Sequence, residues 1–170
     1  MTREMIVRIR PLKLEDTKNI VCWRNKKFVL ENFIDRRSIT DEDHIQYFVS
    51  KIEKGFVRQF IINANEVDIG TVFLRDIDGA NRKAEFGIFI GEEAYLGKGI
   101  GKLVIKQILE YAFNELDLNK VFLRVLSENK RAIASYENSG FKFEGCFRQD
   151  VFVEGKFLDI VFMSVLKEEW

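Results

Sequence analysis

The sequence predicts an α+β fold in which helices cover a mixed, mostly antiparallel sheet of seven strands. Three observations carry that prediction. Seven apolar or β-branched runs and several helical patterns follow the order strand, helices, three strands, helix, strand, helix, two strands. Short turn signals join several neighbouring runs as hairpins. One central strand–helix–strand crossover interrupts that antiparallel pattern.

Ile6 to Arg10 alternates as IVRIR and is expected to stop at Pro11, the only proline, which lacks an N–H for a ladder. Leu14 to Leu30 carries Ile20, Val21, Trp23, Phe28 and Val29 on a helix with a break near Asn25. Thr40 opens TDED, where a hydroxyl cap and acids suit a helix N-terminus; Ile45, Phe48, Val49 and Ile52 are expected to form its buried stripe. Phe56 to Ala64 and Val67 to Arg75 read as a hairpin about Asn65 and Glu66, followed by the turn DIDGAN at Asp76 to Asn81. Lys83 to Ile90, KAEFGIFI, is a strand. Gly99 to Leu116 repeats Ile100, Leu103, Val104, Ile108, Tyr111 and Ala112 at helical spacing. Lys120 to Leu126 is a further strand, and Asn129 to Ser139 a helix closed by Gly140. Phe141 to Gln149 and Lys156 to Leu166 form a last hairpin about Val153, Glu154 and Gly155.

A length of 170 residues suits one domain spanning 1–170, and sixteen phenylalanines imply a large core. The 27 basic residues balance 27 acidic ones, so no overall field favours nucleic acid or an anionic membrane. The start, MTREMIVRIRPLK, lacks the apolar core of a signal peptide, and no apolar run approaches the ~18 residues of a membrane span. Cys22, Cys146 and the single His44 have no metal-ligand spacing. These features predict a cytoplasmic protein without a metal, with both cysteines as buried free thiols.

The stretch YLGKGIGK, Tyr95 to Lys102, follows a strand and opens a helix, where unpaired N–H groups and the helix dipole favour an anion. Glycines at 97, 99 and 101 would let phosphate oxygens reach those groups, with Lys98 and Lys102 adding charge; a tight turn alone would also account for them. A P-loop needs Ser or Thr after the lysine, whereas Lys102 is followed by Leu103. The spacing G-x-G-x-G also departs from the dinucleotide pattern.

EAYLGKGIGKLVIKQILEYAF followed by VLSENKRAIASYENSGFKFEG resembles the GCN5-related N-acetyltransferases, which move an acetyl group from acetyl-CoA to an amine. The resemblance implies that family's fold, with helices on both faces of the sheet, and direct transfer within a ternary complex. It implies a CoA pyrophosphate cradle at Leu96, Gly97, Lys98, Gly99, Ile100, Gly101 and Lys102, although Leu96 departs from the family's Arg or Gln. Asn129 and Ala132 would lie along the pantetheine arm, with a helix cap alone as the alternative for Asn129. Backbone amides near Phe89, Ile90 and Gly91, where the family's strand splays, would polarise the thioester carbonyl. Tyr136 fills the general-acid position, with a core tyrosine as the alternative. Glu85 is the expected general base, or else a charge paired with Arg82, Lys83 or a neighbouring strand.

For the acceptor, the resemblance implies Trp23, Arg24 and Asn25 at the cleft border, where WRN is similar to acetyltransferases of nucleotide-linked amino sugars; a core anchor at Trp23 and a helix end at Arg24 and Asn25 would equally account for them. RKAEFGIFI and the last hairpin are similar to ribosomal-protein N-terminal and diamine acetyltransferases. Glu31, Asp35 and Asp150 are expected as surface charges that could also hold a cationic amine. The acceptor is therefore a polyamine-like small molecule or a peptide amine, with the amino sugar as an alternative. Two rivals follow from the same residues: a silent CoA-binding sensor and a nucleotide-binding enzyme. A homodimer could form through the apolar edge of the last hairpin.

Overall fold

The computed structural model describes residues 5–170. Seven strands form one sheet in the order β1-β2-β3-β4-β5-β7-β6: β1 Val7–Pro11, β2 Arg58–Ala64, β3 Val67–Asp78, β4 Lys83–Ile90, β5 Lys120–Leu126, β6 Lys142–Val153 and β7 Lys156–Leu166. Every neighbouring pair is antiparallel except β4 and β5. Pro11 is the last residue of β1 rather than the residue beyond it, opposite Phe60. An edge strand tolerates this, because a missing N–H on its outer side costs no ladder bond.

The hairpin turns sit where the sequence predicts them. Asn65 and Glu66 (φ 48° and 69°) join β2 to β3, and Glu154 and Gly155 (φ 49° and 81°) join β6 to β7; both pairs have the positive φ that two-residue hairpins require. β3 runs three residues further than expected, through Asp78, because a bulge at Asp76 (φ 50°) lets pairing resume at Asp78 with Lys83.

Five α-helices complete the fold: α1 Thr17–Arg24, α2 Lys27–Leu30, α3 Asp41–Tyr47, α4 Ile100–Glu110 and α5 Lys130–Glu137. The break at Asn25 separates α1 from α2, and a wider π turn extends α3 through Ile52 and α4 through Glu115. Strand alternation sends the two sides of β2 into separate cores. Phe60, Ile62 and Ala64 pack with Val104, Ile105, Ile108 and Leu109 of α4, whereas Ile61 packs with Ile20 and Trp23 of α1 and with Phe48. The helices therefore cover both faces.

Two stripes differ from expectation. Leu103 is exposed, whereas Val104 and Ile105, which point round the helix away from it, are buried. On α3, Ile45 and Val49 are exposed and His44 and Phe48 are buried. The helix is rolled by one position because His44 finds a hydrogen-bond partner in α1, described below. Cys22 and Cys146 are free and exposed, not buried. Among the described residues, no helix is long and apolar enough to cross a membrane.

Candidate active site

The ladder between β4 and β5 spans only Lys83 to Glu85 opposite Lys120 to Phe122. Beyond Glu85 the strands part, and a cleft of about 920 Å³ runs through the gap. Its walls include Arg24, Glu31 and Asp35 near α1 and α2, His44 and Tyr47 of α3, the β4 stretch Glu85 to Ile90, Leu96, Gly101, and Asn129, Ala132 and Tyr136 of α5.

Gly91 N–H donates to Ile69 O at 2.7 Å, so it is not the open amide expected there. By alternation the N–H groups of Ile88 and Ile90 turn toward the gap and that of Phe89 toward β3. Of the three amides expected, only that of Ile90 faces the splay, and Ile88 is the one sequence reasoning missed. Gly91 has a different purpose. A Cβ there would lie 2.1 Å from Trp23 Cγ. Trp23 is accordingly a core anchor, 3% exposed, with Nε1 donating to Glu92 Oε1 at 2.6 Å. Asn25 is also structural: it donates to Ile39 O and accepts from Ile39 N, tying the α1–α2 break to the segment before α3.

At the other end of the gap, Gly97 and Gly99 take φ of 72° and 75°, and Gly99 is the cap residue of α4 without any side-chain cap. The first-turn amides of Ile100, Gly101 and Lys102 thus have no helical partner. Space where a Cβ would stand on Gly99 or Gly101 is empty to 4 Å. A cradle of open amides with that space above it fits a pyrophosphate. Lys98 lies over Tyr95, 5.3 Å from its ring centroid. Sequence reasoning missed Arg131, which lines the cleft and comes within 3.8 Å of a Cβ built on Gly97. Its place two residues after Asn129, at the start of a helix facing the cradle, was the available signal. It offers the charge that Leu96 does not.

Asn129 caps α5: its Oδ1 accepts from Ala132 N at 3.1 Å, and its Nδ2 donates to Asn32 Oδ1. Tyr136 packs edge-on to Phe86, at 6.0 Å and 87°, and against Phe141. Burial pushes its hydroxyl up to about 12, so it holds its proton across the neutral range.

Glu85 does not stand free to take a proton. It is 3% exposed, and both oxygens accept from Arg75 (3.0 and 3.1 Å) and from Arg124 (2.8 and 3.3 Å). Burial alone would raise its pKa, but the hydrogen bonds and charges of the two guanidinium groups outweigh burial and hold it below the usual carboxylate range. The paired alternative is the one observed, with partners on neighbouring strands rather than Arg82 or Lys83. Asp35 is likewise engaged, held at about 2 by hydrogen bonds from Arg37. Glu31 is exposed, 3.7 Å from Lys27. Asp150 lies on β6, outside the cleft walls.

Arg24 stacks on Phe33 with its guanidinium carbon 3.8 Å from the ring centroid, and its Nη2 donates to Asp35 O. Its Nη1 is buried without a partner. Burial lowers its pKa from the ordinary arginine value.

Open helix amides, a splayed parallel pair and a protonated tyrosine in one cleft define a class of acyl-transfer enzyme. Residues 7–142 match the family described as acetyltransferase (GNAT) domain, and the chain belongs to it. It is an N-acetyltransferase that uses acetyl-CoA as acetyl donor and an amine as acceptor. The spermidine N(1)-acetyltransferase of Vibrio cholerae is 29% identical over 163 residues, covering 95% of this chain and 94% of that protein. The crystal structure of spermidine N-acetyltransferase from Vibrio cholerae with CoA and spermine superposes with a TM-score of 0.90 at 27% identity, covering 96% of each chain. A dodecameric structure of the Vibrio cholerae enzyme superposes at 0.82 with 27% identity, over 96% of this chain and 95% of that one.

Proposed function

We propose that the chain acetylates a primary amine of a small molecule in a ternary complex, with the acceptor entering between α1–α2 and β4 and the donor lying between β4 and β5. The observation that carries this is Tyr136: a proton-holding hydroxyl on the wall of the cleft that the cradle opens into. Acetyl-CoA supplies the activated acyl group. Leu96 to Lys102, with Arg131, would hold its pyrophosphate, and Asn129 and Ala132 border the pantetheine path. The Ile88 and Ile90 amides are aimed to polarise the thioester carbonyl. Tyr136 donates its proton to the departing sulfur, which with an ordinary pKa near ~8.5 is mostly the neutral thiol at pH 7. Glu85 is read as a positioning carboxylate that fixes Arg75 and Arg124.

A polyamine is the acceptor class that the relatives' names support, and Glu31 is an exposed carboxylate on the cleft wall whose ion-pair partner is Lys27, at 3.7 Å. One observation favours a second reading. Arg24 Nη1 needs an acceptor atom, and a polyamine ammonium offers only donors, whereas a hydroxyl or phosphate of a nucleotide-linked amino sugar, or a peptide carbonyl, offers oxygen. Residues 1–170 are read as one cytoplasmic domain. Copies of it are read as associating through the last hairpin, where Phe143, Phe147, Phe152 and Phe157 are exposed.

The test is thiol release from acetyl-CoA with spermidine, a nucleotide-linked amino sugar and a peptide with a free N-terminus. Turnover of spermidine alone supports the first reading, and turnover of the oxygen-rich amine the second. Acetyl-CoA binding without turnover of any amine would make the protein a sensor and end both.

A further inference from the structure

Among the described residues, two buried side-chain atoms lack a hydrogen-bond partner, Arg24 Nη1 and His44 Nε2, and both residues line the cleft. His44 is 4% exposed on the inner face of α3. Its Nδ1 lies 3.0 Å from Thr17 Oγ1, and the Thr17 hydroxyl donates its single proton to Leu14 O at 2.7 Å. Toward His44, Thr17 can only accept. Nδ1 therefore carries the hydrogen, and a neutral ring leaves a lone pair on Nε2.

The surroundings keep the ring neutral. Burial lowers its pKa, while Asp41 on its own helix and Asp16 below Thr17 pull weakly the other way. Asp16 is already met by Arg10 at 2.8 and 2.9 Å. On α1, the other charge along this wall is Arg24, a cation; across the cleft, Glu85 is compensated by Arg75 and Arg124, and Tyr47 of α3 holds its proton more tightly than usual, chiefly through burial.

The reaction needs a proton acceptor. An alkylammonium, with a pKa near ~10, cannot attack a thioester until it loses a proton. Glu85 and Asp35 are committed to arginines, Asp43 accepts from Thr40 N as part of the α3 capping box, and Glu31 is solvent-exposed and 3.7 Å from the Lys27 ammonium. A neutral imidazole with an unused lone pair is the group on the cleft wall suited to the task.

We propose that His44 Nε2 is the proton acceptor for the acceptor amine: directly or through one bridging water, it takes a proton from R–NH3+, giving R–NH2 and an imidazolium that later returns the proton to solvent. This rests on the reading of the cleft as an amine acetyltransferase site.

The test compares kcat/KM for wild type and His44→Gln between pH 6 and pH 9, with acetyl-CoA and an amine that the wild type acetylates. The wild type should be nearly flat from pH 7 to pH 9. The variant should depend on free amine already present in solution and rise about tenfold per pH unit, so roughly 100-fold over that range. Acetyl-CoA affinity by calorimetry should match wild type. A variant that keeps the wild-type profile overturns the assignment of His44 alone, whereas a wild type that acetylates no amine overturns it together with the reading of the cleft. A second measurement needs no variant. His44 is the only histidine, so 15N-histidine labelling gives one ring. The Nδ1–H tautomer is expected, with an Nε2 resonance that moves when spermidine is added to the CoA-bound protein; an Nε2–H tautomer overturns the proposal.

Discussion

Tyr136 illustrates how much a single atom can carry at the residue scale. Phenylalanine would preserve the packing on Phe86 and Phe141 and remove only the hydroxyl. Tyr136→Phe should therefore lower kcat by about 100-fold, the usual size of a general-acid contribution, with acetyl-CoA affinity unchanged. Steady-state kinetics beside calorimetry check this, and equal turnover would return Tyr136 to a packing role. Single residues are also where sequence reasoning divides most clearly. The glycine turn from Gly97 to Gly101 and the cap at Asn129 were legible because each follows from local backbone chemistry. Gly91 was not: it is small because Trp23, distant in sequence, lies against it. Glu85 likewise could be placed on its strand but not beside its two arginines, because cross-strand partners depend on register.

At the scale of elements, the Arg75–Glu85–Arg124 cluster joins β3, β4 and β5 across the point where the ladder ends. Glu85→Gln would leave two guanidinium groups without their carboxylate. A broken buried pair costs about 3–5 kcal/mol; because both arginines are about a third exposed, the expected loss is about 2 kcal/mol. The pH dependence has a definite sign. A carboxylate whose pKa is lowered on folding stabilises the fold above its unfolded value near ~4.3, and that contribution disappears as pH falls through the folded value. Urea midpoints at pH 7, 5, 4 and 3 should fall for wild type below about pH 4.3 and vary less for the variant. Parallel curves would mean that Glu85 contributes nothing specific. Strand identities were legible from apolar runs and turn residues, and β4 and β5 have the limits expected. The roll of α3 was not legible, because periodicity marks a stripe of apolar residues and cannot foresee that a threonine on another helix makes burying His44 favourable.

Considered whole, the molecule has one unfinished edge. β6 is the outermost strand, and its hairpin carries exposed Phe143, Phe147, Phe152 and Phe157, the last two paired across the turn at 4.8 Å. Such an apolar edge favours association of copies. Phe152→Asp with Phe157→Asp should reduce the molar mass seen by light scattering after size exclusion, and an unchanged mass would remove this hairpin from the interface.

The brevity of the β4–β5 ladder has a mechanical consequence. With only three residues joined, the sheet is two leaves hinged along one short side. Five residues of β4 extend beyond Glu85, to Ile90, a lever of about 17 Å at the usual strand rise. On that arm a tilt of about 3° at the hinge displaces the far end by about 1 Å. The pin of the hinge is the doubly held Glu85, whose ion cluster ties the two leaves together at the mouth of the gap.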